Sequence, residues 1–169
     1  MLNVSAIKAR FTINQATVRL SAVRPLNVES LPVTADNPPH DHDYYEVCVV
    51  QRGRARHHTA AGVQTLRAGS VIVVPPGGVH AFTEPRDLQV TNLYYLAEWL
   101  AAGLSAYGGE PGLVQLFLAQ ALFRREWATR PRVFQLSVVE AAAIDVDLAE
   151  LRHELAASQP SALCVKATF

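Results

Sequence analysis

Four side chains offer this chain its clearest chemistry. His40, His42 and Glu46 fall in the run Pro38-Pro-His-Asp-His-Asp-Tyr-Tyr-Glu46, and His80 closes the run Gly69-Ser-Val-Ile-Val-Val-Pro75-Pro-Gly77-Gly-Val-His80. Side chains alternate between faces along an extended strand, so His40, His42 and Glu46 share parity and point to one side. His80 sits on a separate strand, just past a Pro/Gly turn able to fold it back onto the other three. Three imidazole nitrogens and a carboxylate oxygen suit a divalent transition metal such as zinc, nickel, iron or manganese, with further positions open to water or a ligand. The sequence does not select among these ions. A polar pocket held by hydrogen bonds alone uses the same residues, and both readings stay open on sequence grounds.

Other residues are weaker candidates. Tyr94, Tyr95 and Trp99 have aromatic faces that could stack on a sugar-like ligand, against the plainer reading of core residues at a strand end. Cys48 shares the parity of Glu46 and would face the same pocket as a small buried filler. The other cysteine, Cys164, is far away in sequence, and there is no CxxC pair. Arg54, Arg56 and His58 alternate onto one face beside His57, which reads as a solvated strand face in preference to a basic DNA-binding patch.

The elements that must position these groups follow from local pattern. Residues 1 to about 39 mix short β-prone pieces (Arg10 to Ile13, Thr17 to Val23) with prolines, as an arm or lead-in strands. Between Tyr44 and Leu96, short Val/Ile/Tyr/Thr runs alternate with Gly and Pro turns, the texture of a sandwich or barrel. Near Trp99 the composition turns helical, with a helix expected over Leu113 to Trp127 and one more strand over Pro131 to Leu136. Ser137-Val-Val-Glu140 forms a capping box. Behind it Ile144, Leu148, Leu151 and Leu155 make one helical stripe, which could pack on this chain's own barrel or on a partner helix. Ser158-Gln-Pro160 ends that helix, and a second begins at Ser161. The division expected is a barrel with its arm over 1–136 and a helical segment of the same domain over 137–169.

The first run resembles the first cupin motif throughout: His40, one residue, His42, three residues, Glu46, six residues, Gly53. The second resembles the second cupin motif through Gly69, Pro75, Gly77 and His80, departing from it only where Glu84 replaces a usual Asn. The resemblance implies a mainly β fold, a double-stranded β-helix or jelly-roll barrel followed by C-terminal helices, with His40, His42, Glu46 and His80 as the metal ligands. The His-Asp-His-Asp-Tyr-Tyr-Glu phrase, the Pro-Pro-Gly-Gly-Val-His turn and the C-terminal helix broken at a proline further resemble the sensor domain of AraC-type transcription regulators. That likeness implies a small-molecule effector bound in the barrel by His40, His42, Glu46, His80 and Tyr94. It also implies a homodimer made through the C-terminal helices, and DNA contact only through a double helix-turn-helix domain missing from this chain. No residue is assigned a catalytic role. A metal-dependent cupin oxygenase or isomerase is the rival reading, and a stand-alone binding module the third.

Bulk properties agree. The chain has 169 residues, half of them hydrophobic and 18% charged, enough for a single well-buried core. Fifteen Lys and Arg balance fifteen Asp and Glu, so no net field draws the chain onto a polyanion. There is no signal-peptide pattern and no membrane-length apolar run, which makes the cytoplasm the expected location.

Overall fold

A computed structural model of the chain describes residues 7–102 and 129–158, and besides these Gly112, Val114, Phe117, Leu118 and Pro160. The described strands are β1 (Phe11–Ile13), β2 (Leu26–Val33), β3 (Asn37–His42), β4 (Tyr45–Thr59), β5 (Gly62–Arg67), β6 (Ser70–Val74), β7 (His80–Tyr95) and β8 (Arg132–Gln135). Two described helices follow the same order, α1 (Ala97–Ala101) before β8 and α2 (Val138–Ala156) after it. The expected strand over Pro131 to Leu136 is β8, and the expected capping box opens α2. The helices expected over Leu113 to Trp127 and from Ser161 lie mostly or wholly outside the described residues, as does Cys164.

Two long strands organise the sheet. β4 and β7 pair antiparallel from Tyr45↔Tyr95 to Thr59↔His80, and each takes different neighbours along its two halves. The first half of β4 pairs with β6, which pairs with β8, while the second half pairs with β5. The C-terminal half of β7 pairs with β2, and its start pairs with β3, which carries β1 as a parallel edge. Changing partners midway lets one sheet fold into two facing layers, as the cupin motifs imply.

The change happens at register shifts between Val50 and Arg56. Gly53 sits there with φ +79, and a Cβ at this position would stand 2.2 Å from the Asp87 carbonyl oxygen, so only glycine permits the close approach of β4 to β7. A bulge shifts the side-chain alternation. Before it, Glu46, Cys48 and Val50 are buried toward the interior; beyond it, Ala55 and His57 are the buried residues, and Arg54 and Arg56 are exposed.

The first half of β4 is buried on both faces, which is why its sequence reads as a nearly continuous apolar run. Inside, Cys48 and Val50 join Ile72, Val74, Phe82, Leu88 and Val90. Outside, Tyr45 and Val49 join Leu26, Leu93, Tyr95, Leu100, Leu148 and Leu151. Helix α2 therefore lays its stripe on its own barrel, with Ile144 and Leu155 flanking the buried Leu148 and Leu151. Its start is fixed by the reciprocal cap. The Glu140 amide donates to Ser137 Oγ at 3.2 Å and the Ser137 amide to Glu140 Oε2 at 2.7 Å.

One expectation fails. Thr17 to Val23 is turn and bridge, with only Phe11–Ile13 of the arm's β-prone pieces forming a strand. Asn14 Oδ1 accepts from the Thr17 amide at 3.2 Å and Arg19 takes φ +59, so side-chain-to-backbone bonding outcompetes the ladder.

Gly53→Ala adds a backbone clash to a left-handed conformation, and is expected to lower stability by about 3 kcal/mol. Urea unfolding that finds the variant as stable as the parent would contradict this account of the bulge.

Candidate functional site

Strand β3 supplies His40 and His42, β4 opens with Glu46 in its second position, and β7 begins at His80. The expected turn performs the return: the Gly78 amide donates to the Pro75 carbonyl, and the Gly77 amide to the His42 carbonyl, each at 2.9 Å. His80 then stands opposite His40 in the β3–β7 register. Ligand atoms of His42, Glu46 and His80 all lie within 4.8 Å of one another. His40 adjoins this trio rather than sharing its tight sphere. Its ring centroid is 4.4 Å from that of His80, and Phe11 stacks on it at 5.6 Å. All four side chains are buried.

The hydrogen-bond arrangement decides what these groups can do. His40 Nδ1 lies 2.9 Å from the Pro38 carbonyl and His42 Nδ1 2.8 Å from the Tyr44 carbonyl, and since a carbonyl only accepts, both nitrogens carry the hydrogen. Each ring is left presenting Nε2 as its free position, a lone pair whenever that imidazole is neutral. His42 Nε2 stands 3.2 Å from Glu46 Oε2, yet it makes no hydrogen bond. Two such atoms at that separation attract only when a proton or a metal cation is shared between them. His80 Nε2 is likewise buried without a hydrogen-bond partner. Imidazoles with Nδ1 tied back and Nε2 presented inward, beside a carboxylate, fit a divalent transition metal.

Burial sets the protonation states. Desolvation depresses the His40 imidazole below its ordinary range and His80 further still, so both are neutral donors. Desolvation also raises the Tyr44 and Tyr94 hydroxyls and the Cys48 thiol, with the Glu46 carboxylate adding to each rise. Cys48 is therefore an inert wall of the interior, as its parity suggested.

The remaining candidates separate by face. Tyr94 pairs with Glu46 across β4–β7 and packs edge-on to Tyr44 at 5.4 Å, its hydroxyl accepting from Asn92 Nδ2 at 2.9 Å. Val18 and Leu20 from the arm complete this cluster, and Tyr44 stacks on His42 at 4.5 Å. Tyr95 faces the opposite side, stacked on Tyr45 at 5.1 Å, and Trp99 packs against that same outer core. Arg54 and Arg56 are exposed, as expected of a solvated face, and Arg54 stands opposite both Arg67 and Arg86. His57 departs from that expectation: it is wholly buried, with Nε2 3.2 Å from His80 Nδ1. It turns inward with Ala55, two residues earlier on the same face.

Comparison with known proteins identifies the setting of this site. The profile of the AraC-like ligand binding domain matches residues 33–165. The chain belongs to that family. Among curated relatives, the HTH-type transcriptional activator RhaS of Yersinia pestis and of Yersinia pseudotuberculosis is 31% identical over 88 residues, which is 52% of this chain and 32% of the relative. This AraC-like domain thus spans about a third of the length of those activators. Apo ToxT of Vibrio cholerae shares its fold, with TM-score 0.57 at 11% identity over 86% of this chain and 53% of that one. A cupin-2 domain protein from Shewanella frigidimarina aligns over 44% of this chain and 74% of its own, with TM-score 0.40 at 21% identity.

Neutral buried imidazoles make the domain acid-labile. Burial lowers His57 to about 4 in the folded chain, whereas unfolding restores an imidazole to about 6.5. Below pH 6.5 the unfolded chain takes up protons that the folded one refuses, so stability is full above that pH and falls as pH drops toward 4. Urea midpoints of chelated protein should be lower at pH 5 than at pH 7.5; equal midpoints would contradict the burial of these rings.

Proposed function

We propose that this domain senses a small effector in its barrel, at a divalent metal held by His42, Glu46 and His80 with His40 adjoining, and relays occupancy to a DNA-binding domain outside this chain. The observation that carries the reading is the set of buried, inward-facing Nε2 lone pairs beside the Glu46 carboxylate. When bound, the metal would supply a Lewis acid able to anchor an oxygen of the effector. Tyr94 and Tyr44 line the same side, and their rings and hydroxyls suit a sugar-like molecule. Regulation, not catalysis, is supported by family membership and by the named activators among the relatives. A cytoplasmic location goes with that role; no helix among the described residues is long and apolar enough to cross a membrane.

An oxygenase or isomerase is the second reading, favoured by the same donor set. It would turn over a substrate at the metal, whereas a sensor returns its effector unchanged.

Protein purified without chelator is expected to carry zinc, nickel, iron or manganese near one ion per chain, and His42→Ala to lose most of it. Elemental analysis finding no transition metal in the parent would remove the ion from the proposal and leave a hydrogen-bonded pocket.

Dimerisation belongs to the proposal too, with its surface revised. The Leu148 and Leu151 stripe is spent on the barrel, but Val139 and Val146 remain 79% and 57% exposed, with exposed Ala142 and Ala143 between them at helical spacing. Pairing of two copies through this second face of α2 would cover it. Sedimentation equilibrium should show a dimer for the parent and monomer for Val139→Asp/Val146→Asp with unchanged thermal stability. A parent that stays monomeric at high concentration would refute this surface.

A further inference from the structure

We propose that His57 is the positioning residue for His80, the group that accepts its Nδ1 hydrogen and so presents its Nε2 to the metal. The inference rests on the metal reading and concerns a residue outside both sequence motifs. Two of the site imidazoles hand their Nδ1 hydrogens to backbone carbonyls, of Pro38 and Tyr44. The partner of His80 Nδ1 is instead another imidazole, His57 Nε2 at 3.2 Å. The rings meet edge to face, with centroids 5.4 Å apart and planes at 80°.

A single hydrogen lies between those two nitrogens, and its owner determines whether the site can form. If His80 donates, its Nε2 is bare and ready to ligate, and His57 holds its own hydrogen on Nδ1. If His57 donates, neutral His80 carries its hydrogen on Nε2, pointing at His42 and Glu46, and cannot ligate through that atom. Either state leaves one buried N–H without a hydrogen-bond partner among the described residues, on His57 Nδ1 in the first and on His80 Nε2 in the second. The cost of an unmet donor therefore does not choose between them, and coordination of a metal by His80 Nε2 does. Metal entry thus selects a paired tautomer exchange in which the pair neither gains nor loses a proton overall.

The surroundings argue against a space-filling role. His57 packs against Phe82, at 5.2 Å between centroids, beside the buried Ala55. An apolar wall gives a polar ring no reason to be there, and a phenyl group would fill it without an unmet nitrogen. Its Nε2 makes its polar contact with His80.

The test is zinc affinity by competition with a chromophoric chelator, for the parent, His57→Phe and His57→Gln. His57→Phe keeps the volume and removes the acceptor, and should weaken zinc binding about 10- to 100-fold. His57→Gln, whose amide oxygen can accept, should recover most of the loss. Long-range 1H–15N spectra of the zinc-loaded parent should show hydrogen on Nδ1 of both His57 and His80, a readout that needs no variant to fold. Equal affinity in His57→Phe, or hydrogen on Nε2 of His80 in the zinc form, would overturn the inference while leaving the metal site intact. A parent that takes up no zinc would overturn both.

Discussion

The pairing of β4 with β7 is the constraint on which the remaining structure depends. These strands, 15 and 16 residues long, run together for almost their full lengths, and a bulge at Gly53 bends the pair where each exchanges its outer neighbours. One ladder therefore sets Glu46 beside Tyr94 at one end and His57 beside Phe82 near the other. The histidines of β3 reach the same interior because β3 pairs with the first residues of β7. Site and core are consequences of a single folded ladder, so a disturbance at the bend reaches the buried histidines of the site without touching any of them.

The interior mixes two demands that oppose each other. The lumen wall of Cys48, Val50, Ile72, Val74, Leu88 and Val90 excludes water and supplies the hydrophobic driving force. The same dryness makes each buried imidazole expensive to charge, and an unmatched polar atom expensive to keep. Four of the chain's six histidines, His40, His42, His57 and His80, gather there nonetheless. Stability alone would favour apolar residues at those positions. Their presence marks the place where the fold gives up stability, which is what the proposed site requires.

Much of this was legible in the sequence for a definable reason. His40 and His42 share one strand, where parity holds; Glu46 follows on the next strand across a bend at Asp43 and Tyr44 that parity did not foresee, and the Pro75–Gly78 turn has chemistry that compels a reversal. The motif glycine at 53 also announced a special backbone position. What parity could not show was its own interruption: the bend at Gly53 moves the inward set from Glu46, Cys48 and Val50 to Ala55 and His57. The α2 stripe was visible, but periodicity identifies an apolar face without saying what covers it. Leu148 and Leu151 found the barrel, and the shorter side chains Val139, Ala142, Ala143 and Val146 were left outward. In the arm, the β-propensity of Thr17 and Val18 lost to the capping geometry of Asn14, a local hydrogen bond that composition does not weigh.

The central claim is that the buried histidines and Glu46 form a coordination sphere inside the barrel. X-ray absorption at the zinc edge of the loaded domain tests it most directly, because it reads ligand type and distance together. The account predicts a shell of nitrogen and oxygen at about 2.0–2.2 Å with the multiple scattering of at least two imidazoles. A sulfur neighbour near 2.3 Å would move the ion to a cysteine, and an oxygen-only shell would place it on the acidic surface; either result would contradict the assignment.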